Sequence, residues 1–151
     1  MENIQKIQSI YDYRIRNLDL SKIEKRMTNL NNQIEIPVNH IFSGGVYIRQ
    51  IEIPAGALVM GKRHRYETCN ILLKGKLVML SEEDKTPLEV SGPIVFSTLA
   101  GAKKFAYCLE DAVFLNILPT METDPDKIEE IFIIPENEYL DGMKEETKCL
   151  S

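Results

Sequence analysis

The sequence predicts an all-β-dominated domain, a small sandwich or barrel, with a helical arm ahead of it and a short helix behind it. Three observations carry this reading. From Ile34 onward apolar residues recur with a period of two, the spacing of strands with one buried face. The β-rich runs are short, and Gly, Pro, Asn or Asp separates them at intervals of roughly 8–12 residues, as in antiparallel sandwiches and barrels. Before Ile34 and after Pro119 the spacing is helical instead. A chain of 151 residues is long enough for one domain with a real core, and 44% apolar with 27% charged residues is ordinary globular composition.

Residues 1–32 read as a helical arm. Ile4, Ile7 and Tyr11 share one face, and Ile23, Met27 and Leu30 form a second stripe at i, i+4, i+7. Ser21-Lys-Ile-Glu24 has the pattern of a capping box, and Asn29 to Asn32 should end the helix. Residues 33–120 carry the strands: IEIPVNHIF, VYIRQIEIPAG, ALVMG, NILLKGKLVML, PLEV, PIVFSTLAG, KKFAYCLE and DAVFLNILP. Gly44-Gly45 is a turn between two of them. In residues 121–151, Thr123-Asp124-Pro125 starts a helix that runs on to Phe132. IFIIP then reads as a buried or partner-facing strand. The acidic tail from Glu136 reads as a surface segment, ordered only where Tyr139 and Leu140 dock.

Several classes of function are disfavoured. A net charge of −5 argues against broad attraction to nucleic acids or anionic membranes. Arg63, His64 and Arg65 make a basic patch too short, and too poor in aromatics, for a nucleic-acid stripe. No apolar run reaches the roughly 18–20 residues of a membrane helix. The polar N-terminus and the odd set Cys69, Cys108 and Cys149, with no CxxC pair, point to a reducing cytoplasm rather than a disulfide framework. Cys69 and Cys108 are expected as small buried hydrophobes. No βαβ unit or phosphate loop is present, which excludes a Rossmann or P-loop reading.

The blocks PVNHIFSGGVYIRQIEIPAGALVMGKRH, NILLKGKL and FSTLAGAKKFAYCLEDAVFLN resemble, in order, the cupin superfamily of double-stranded β-helix jelly rolls, and in particular small cupin-like proteins encoded by bacteriophages. The resemblance spans about Ile36 to Thr120. It implies a barrel whose metal-binding members carry two histidines and a glutamate in a first motif and a third histidine in a second. Here the first motif keeps one histidine, His64. The glutamate position falls near Thr68 and the second-motif histidine position near Lys104, while a further position near Leu118 is apolar. Threonine is a poor ligand and a protonated lysine repels cations, so no metal or other cofactor is expected. If a divalent transition metal does bind, His64 and Glu67 are its candidate ligands. On the phage resemblance the compartment would be the host cytoplasm.

Strand alternation then says which side chains share the interior. If Thr68 points inward, Asn70 and Leu72 follow, and the same holds for Lys104 with Ala106 and Cys108, and for Asn116 with Phe114 and Leu118. His64, Thr68, Asn70, Lys104 and Asn116, with Arg49 if its parity agrees, would make a donor-rich pocket for a small anion. A plainer reading leaves Lys103 and Lys104 solvated at a strand start and His64 on the surface. His40, beside Phe42, reads as a structural histidine rather than a base. The expectation is a non-enzymatic ligand-binding protein, homo-oligomeric through its helical arm and IFIIP. The alternatives are a cupin-type metalloenzyme with an altered site, such as an isomerase or dioxygenase, and an assembly protein with a vestigial pocket.

Overall fold

A computed structural model describes residues 19–82 and 86–150. The expected stripe of Ile4, Ile7 and Tyr11 lies outside the described residues. The chain runs α1 (Leu20–Thr28), β1 (Val38–Ser43), β2 (Val46–Ile53), β3 (Leu58–Met60), β4 (Arg63–His64), β5 (Thr68–Ser81), β6 (Leu88–Ser91), β7 (Ile94–Thr98), β8 (Lys104–Pro119), α2 (Pro125–Phe132), β9 (Ile133–Ile134) and α3 (Glu136–Leu150).

Two long strands organise the sheet. β5 and β8 pair antiparallel along nearly their whole length, from Cys69 opposite Ile117 to Ser81 opposite Lys104. The outer edge of β8 takes β2 beside its second half and β3 beside its first. The outer edge of β5 takes β7 beside its first half and β6 beside its second. β1 closes on β2 through the Gly44-Gly45 turn, where Gly45 adopts φ +85. The β5–β8 register shifts three times between Leu72 and Leu77, and such irregularities bend and coil a sheet. At the bend, Gly75 has φ +93 and lies so near β8 that a Cβ there would sit 2.4 Å from the Asp111 carbonyl oxygen.

The concave side is filled by Ile51, Ile53, Ala57, Leu72, Leu77, Val90, Cys108 and Ala112. Ile51 and Ile53, and Cys108 and Ala112, lie on alternating positions of their strands, so the period-two pattern has its physical cause in this core. A second cluster forms where α2 covers one side of the barrel, with Ile128 and Phe132 packed on Tyr47 and Leu118. β9 then pairs with β4, His64 opposite Ile133 and Arg63 opposite Ile134.

Four local expectations are corrected. Asp19, not Ser21, caps α1: its carboxylate accepts from the Ser21 and Lys22 amides, while the Ser21 hydroxyl donates to Glu136. Ser21 lies inside the helix, which begins at Leu20, so the cap position falls on Asp19. Leu30 of the apolar stripe is exposed beyond the helix end. Cys69 is exposed because its neighbours Thr68 and Asn70 take the inward positions, whereas Cys108 is buried. The acidic tail, expected as a surface segment ordered where Tyr139 and Leu140 dock, is a fifteen-residue helix in which Tyr139 docks on Arg63 while Leu140 stays exposed.

The basic patch also resolves differently. Arg65 pairs with both oxygens of Glu138 at 2.9 and 3.1 Å. The Arg63 side chain is 0% exposed and forks onto Glu82 at 2.6 and 2.7 Å. It also donates to Glu136 at 3.3 Å and to the Gly101 carbonyl at 3.0 Å, with the Tyr139 ring 3.6 Å from its guanidinium carbon. Lys103, 2% exposed and far from solvated, bridges Glu24 of α1 and Glu136 of α3. One buried ionic cluster therefore joins both helices to β4 and the start of β8.

Candidate functional site

Adjacent residues of a strand face opposite sides. Arg63 and Lys103 turn toward the helices, so His64 and Lys104 turn the other way, into the barrel. There they border a cavity of about 500 Å³. All six residues that alternation grouped, Arg49, His64, Thr68, Asn70, Lys104 and Asn116, line this one cavity. Arg49, Asn116 and Asn70 stand directly opposite one another across β2, β8 and β5, with His40 of β1 in the same row. The rest of the wall is largely apolar, including Ile51, Leu77, Met79 and Phe114.

The polar contacts run in one direction. Asn116 Nδ2 donates to Asn70 Oδ1 at 2.7 Å. Asn70 Nδ2 donates to the Thr68 carbonyl at 3.1 Å and to Thr98 Oγ1 at 2.7 Å. Lys104 Nζ donates to the same Thr98 oxygen and lies 4.7 Å from the centre of the Phe96 ring. Thr98 thus accepts twice, which leaves its own proton to donate. Thr98 was not singled out in the sequence, because its place follows from the pairing of β7 with β5, Thr68 opposite Thr98, and alternation along one strand says nothing about its neighbour.

Charge is uneven around the cavity. At the α2 side Lys62 pairs with Glu129, and Asp126 also lines the wall. Among the described residues, Arg49 and Lys104 have no carboxylate partner. Burial lowers the Lys104 ammonium to about 8. Burial, and then the charges of Lys104, Arg49 and Lys62, hold His64 down to about 4, so the imidazole is neutral at pH 7. Its Nδ1 is buried with no hydrogen-bond partner among the described residues. His40 is exposed and meets the Tyr47 hydroxyl at 2.7 Å with the rings stacked, a contact that fits a structural role.

A neutral, half-buried histidine makes stability sensitive to mild acid. The unfolded chain protonates this imidazole near 6.5, the folded chain only near about 4. The contribution is therefore whole above 6.5 and is lost as pH falls from 6.5 toward 4, because the unfolded state binds the extra proton. Urea unfolding should show a loss of about 2 kcal/mol between pH 7 and pH 5 that His64→Asn largely removes. An unchanged wild-type midpoint over that range would contradict this account.

Among the described residues the charges around His64 oppose a metal ion. Among the described residues no group of three or more His, Cys, Asp or Glu side chains is placed to hold one. Glu67, the candidate second ligand, is exposed and does not line the cavity: Thr68 takes the inward position and alternation turns its neighbour away. His64 instead has ammonium and guanidinium groups for electrostatic neighbours, and these repel a divalent cation.

No protein-family model and no curated protein matches the sequence. Among solved structures, the chain is similar to KdgF from Halomonas sp., with a TM-score of 0.50 and 13% identity over 66% of this chain and 90% of that chain. It is also similar to an RmlC-like cupin family protein with a double-stranded β-helix fold from Methanocaldococcus jannaschii, with a TM-score of 0.48 and 15% identity over 66% and 91% of the two chains. A cupin-2 domain-containing protein from Shewanella frigidimarina gives a TM-score of 0.44 and 9% identity over 70% and 97%. The likeness to KdgF is one of fold. The chain has the mostly β cupin fold, a double-stranded β-helix, with an N-terminal helix and short C-terminal helices. Among the described residues no helix is long and apolar enough to cross a membrane.

Proposed function

We propose that the protein binds a small anionic molecule, a carboxylate or a phosphate, in the mouth of the barrel. The direction of the cavity's hydrogen bonds carries this reading. Arg49, Lys104 and the Thr98 hydroxyl all present donors, and no carboxylate neutralises Arg49 or Lys104 among the described residues. Burying such charge is costly, and an anion would offset the cost.

The test is a thermal-shift and calorimetric screen of small carboxylates and phosphate esters. A ligand of one class should raise the melting temperature. Arg49→Ala and Lys104→Ala should each weaken its binding by roughly 10–100-fold, the worth of a charge-assisted hydrogen bond. Binding that both variants leave intact, or a screen without any shift at millimolar concentration, would overturn the proposal.

Self-association is part of the same reading. β1 is an edge strand whose six residues are all exposed, Val38, Ile41 and Phe42 among them, and such an edge favours pairing or cover. Light scattering should report a dimer or larger species, and a monomer would remove this element.

A further inference from the structure

Building on the anion-binding reading of the cavity, we infer that Lys104 captures its ligand covalently and reversibly, as an imine with the carbonyl carbon of a small oxo acid whose carboxylate lies on Arg49. Three observations support this. Lys104 Nζ faces the cavity with a hydroxyl, not a carboxylate, as its partner, so no ion pair locks it as an ammonium. Its surroundings are weakly polar: Phe96 lies beneath it, and Ala106 and Met79 share the wall. Arg49 lies on the same wall, in the row that leads through Asn116 and Asn70 to Thr98, and thus to Lys104 itself. An anion on Arg49 would bring a carbonyl elsewhere in the same molecule toward the amine.

The chemistry balances without an oxidant or a metal. Burial lowers Lys104 to about 8, so about a tenth of the side chain is already the free amine at pH 7. That amine adds to the carbonyl carbon, a C–N bond forms, and the carbonyl oxygen takes up a proton to give a carbinolamine. Loss of the hydroxyl as water, with the second amine proton, leaves the imine. The Thr98 hydroxyl, accepting from both Lys104 and Asn70, retains a proton to donate to oxygen during this exchange. Hydrolysis reverses the step and returns the ligand.

The experiment uses the full chain with 4-oxopentanoate and phenylpyruvate, and with pentanoate and 3-phenylpropanoate as matched acids lacking the carbonyl. Sodium cyanoborohydride fixes any imine as a secondary amine, and peptide mass spectrometry locates it. At least one oxo acid should give one adduct per chain at Lys104. Lys104→Arg should abolish it, and Arg49→Gln should slow trapping at least tenfold. Site mapping on the wild-type protein keeps the test independent of whether either variant folds. Adducts spread over surface lysines, or none with either oxo acid, would overturn the inference. If the matched acids still stabilise the protein in that case, the anion site stands without the imine. If neither series binds and phosphate esters also fail to stabilise the protein, the anion reading falls as well.

Discussion

Replacing Arg63 with alanine should lower the unfolding free energy by about 3–5 kcal/mol, the cost of breaking a buried ion pair from one side. The residue that reads as the first member of an exposed basic patch is instead the hub of the ionic cluster. Its guanidinium donates to Glu82, Glu136 and the Gly101 carbonyl and stacks on Tyr139. The alanine variant leaves Glu82 and Glu136 facing each other across a void and leaves the Gly101 carbonyl without its charged donor. It also loosens α3, which this cluster and the Arg65–Glu138 pair hold to β4. Arg63→Lys should recover only a minor part, because an ammonium has neither the planar fork for Glu82 nor the flat face for Tyr139. Equilibrium urea denaturation measures both. A loss below about 1 kcal/mol for Arg63→Ala would place this cluster with weak surface pairs.

Gly75→Ala is the second large effect, with an expected loss of about 2–5 kcal/mol from backbone strain and overpacking together. The left-handed φ of +93 is strained for any L side chain. The steric problem is worse: the added Cβ would meet the Asp111 oxygen at 2.4 Å, Ala112 Cα at 2.6 Å and Ala112 Cβ at 2.8 Å. Two of those three atoms are backbone of β8, so relief means moving the strand that pairs with β2, β3 and β5. Gly56→Ala is a useful contrast. Its φ is also positive, at +87, but nothing lies within 4 Å of the added carbon, so it should cost only the backbone term. Equal losses in the two variants would show that contact with β8 is not what fixes Gly75.

These two positions show what a sequence conveys and what it withholds. Alternation is a property of a single strand, so the shared face of Thr68, Asn70 and Leu72, or of Phe114, Asn116 and Leu118, was readable without knowing which strand lies beside which. The same rule, applied strictly, puts Cys69 outside, and treating it as a small hydrophobe overrode the rule. Relations between distant segments were not readable. Glu24, Glu82 and Glu136 are ordinary surface carboxylates until the fold gathers them around Arg63 and Lys103. Thr98 gains its role only from the register of β7 on β5. The helix from Glu136 carries only a weak apolar stripe and is anchored by charge and by Tyr139, so hydrophobic periodicity gave no sign of it.

The order of the elements along the chain has a consequence for how the protein is made. Every strand of the main sheet has been synthesised once Pro119 is joined, yet Tyr47 and Leu118 still lack the Ile128 and Phe132 side chains that pack on them. β4 likewise waits for β9, and Arg63 and Lys103 wait for Glu136. The strands alone therefore leave that side of the barrel open, and residues 125–133 supply the part of the wall that closes the cavity there.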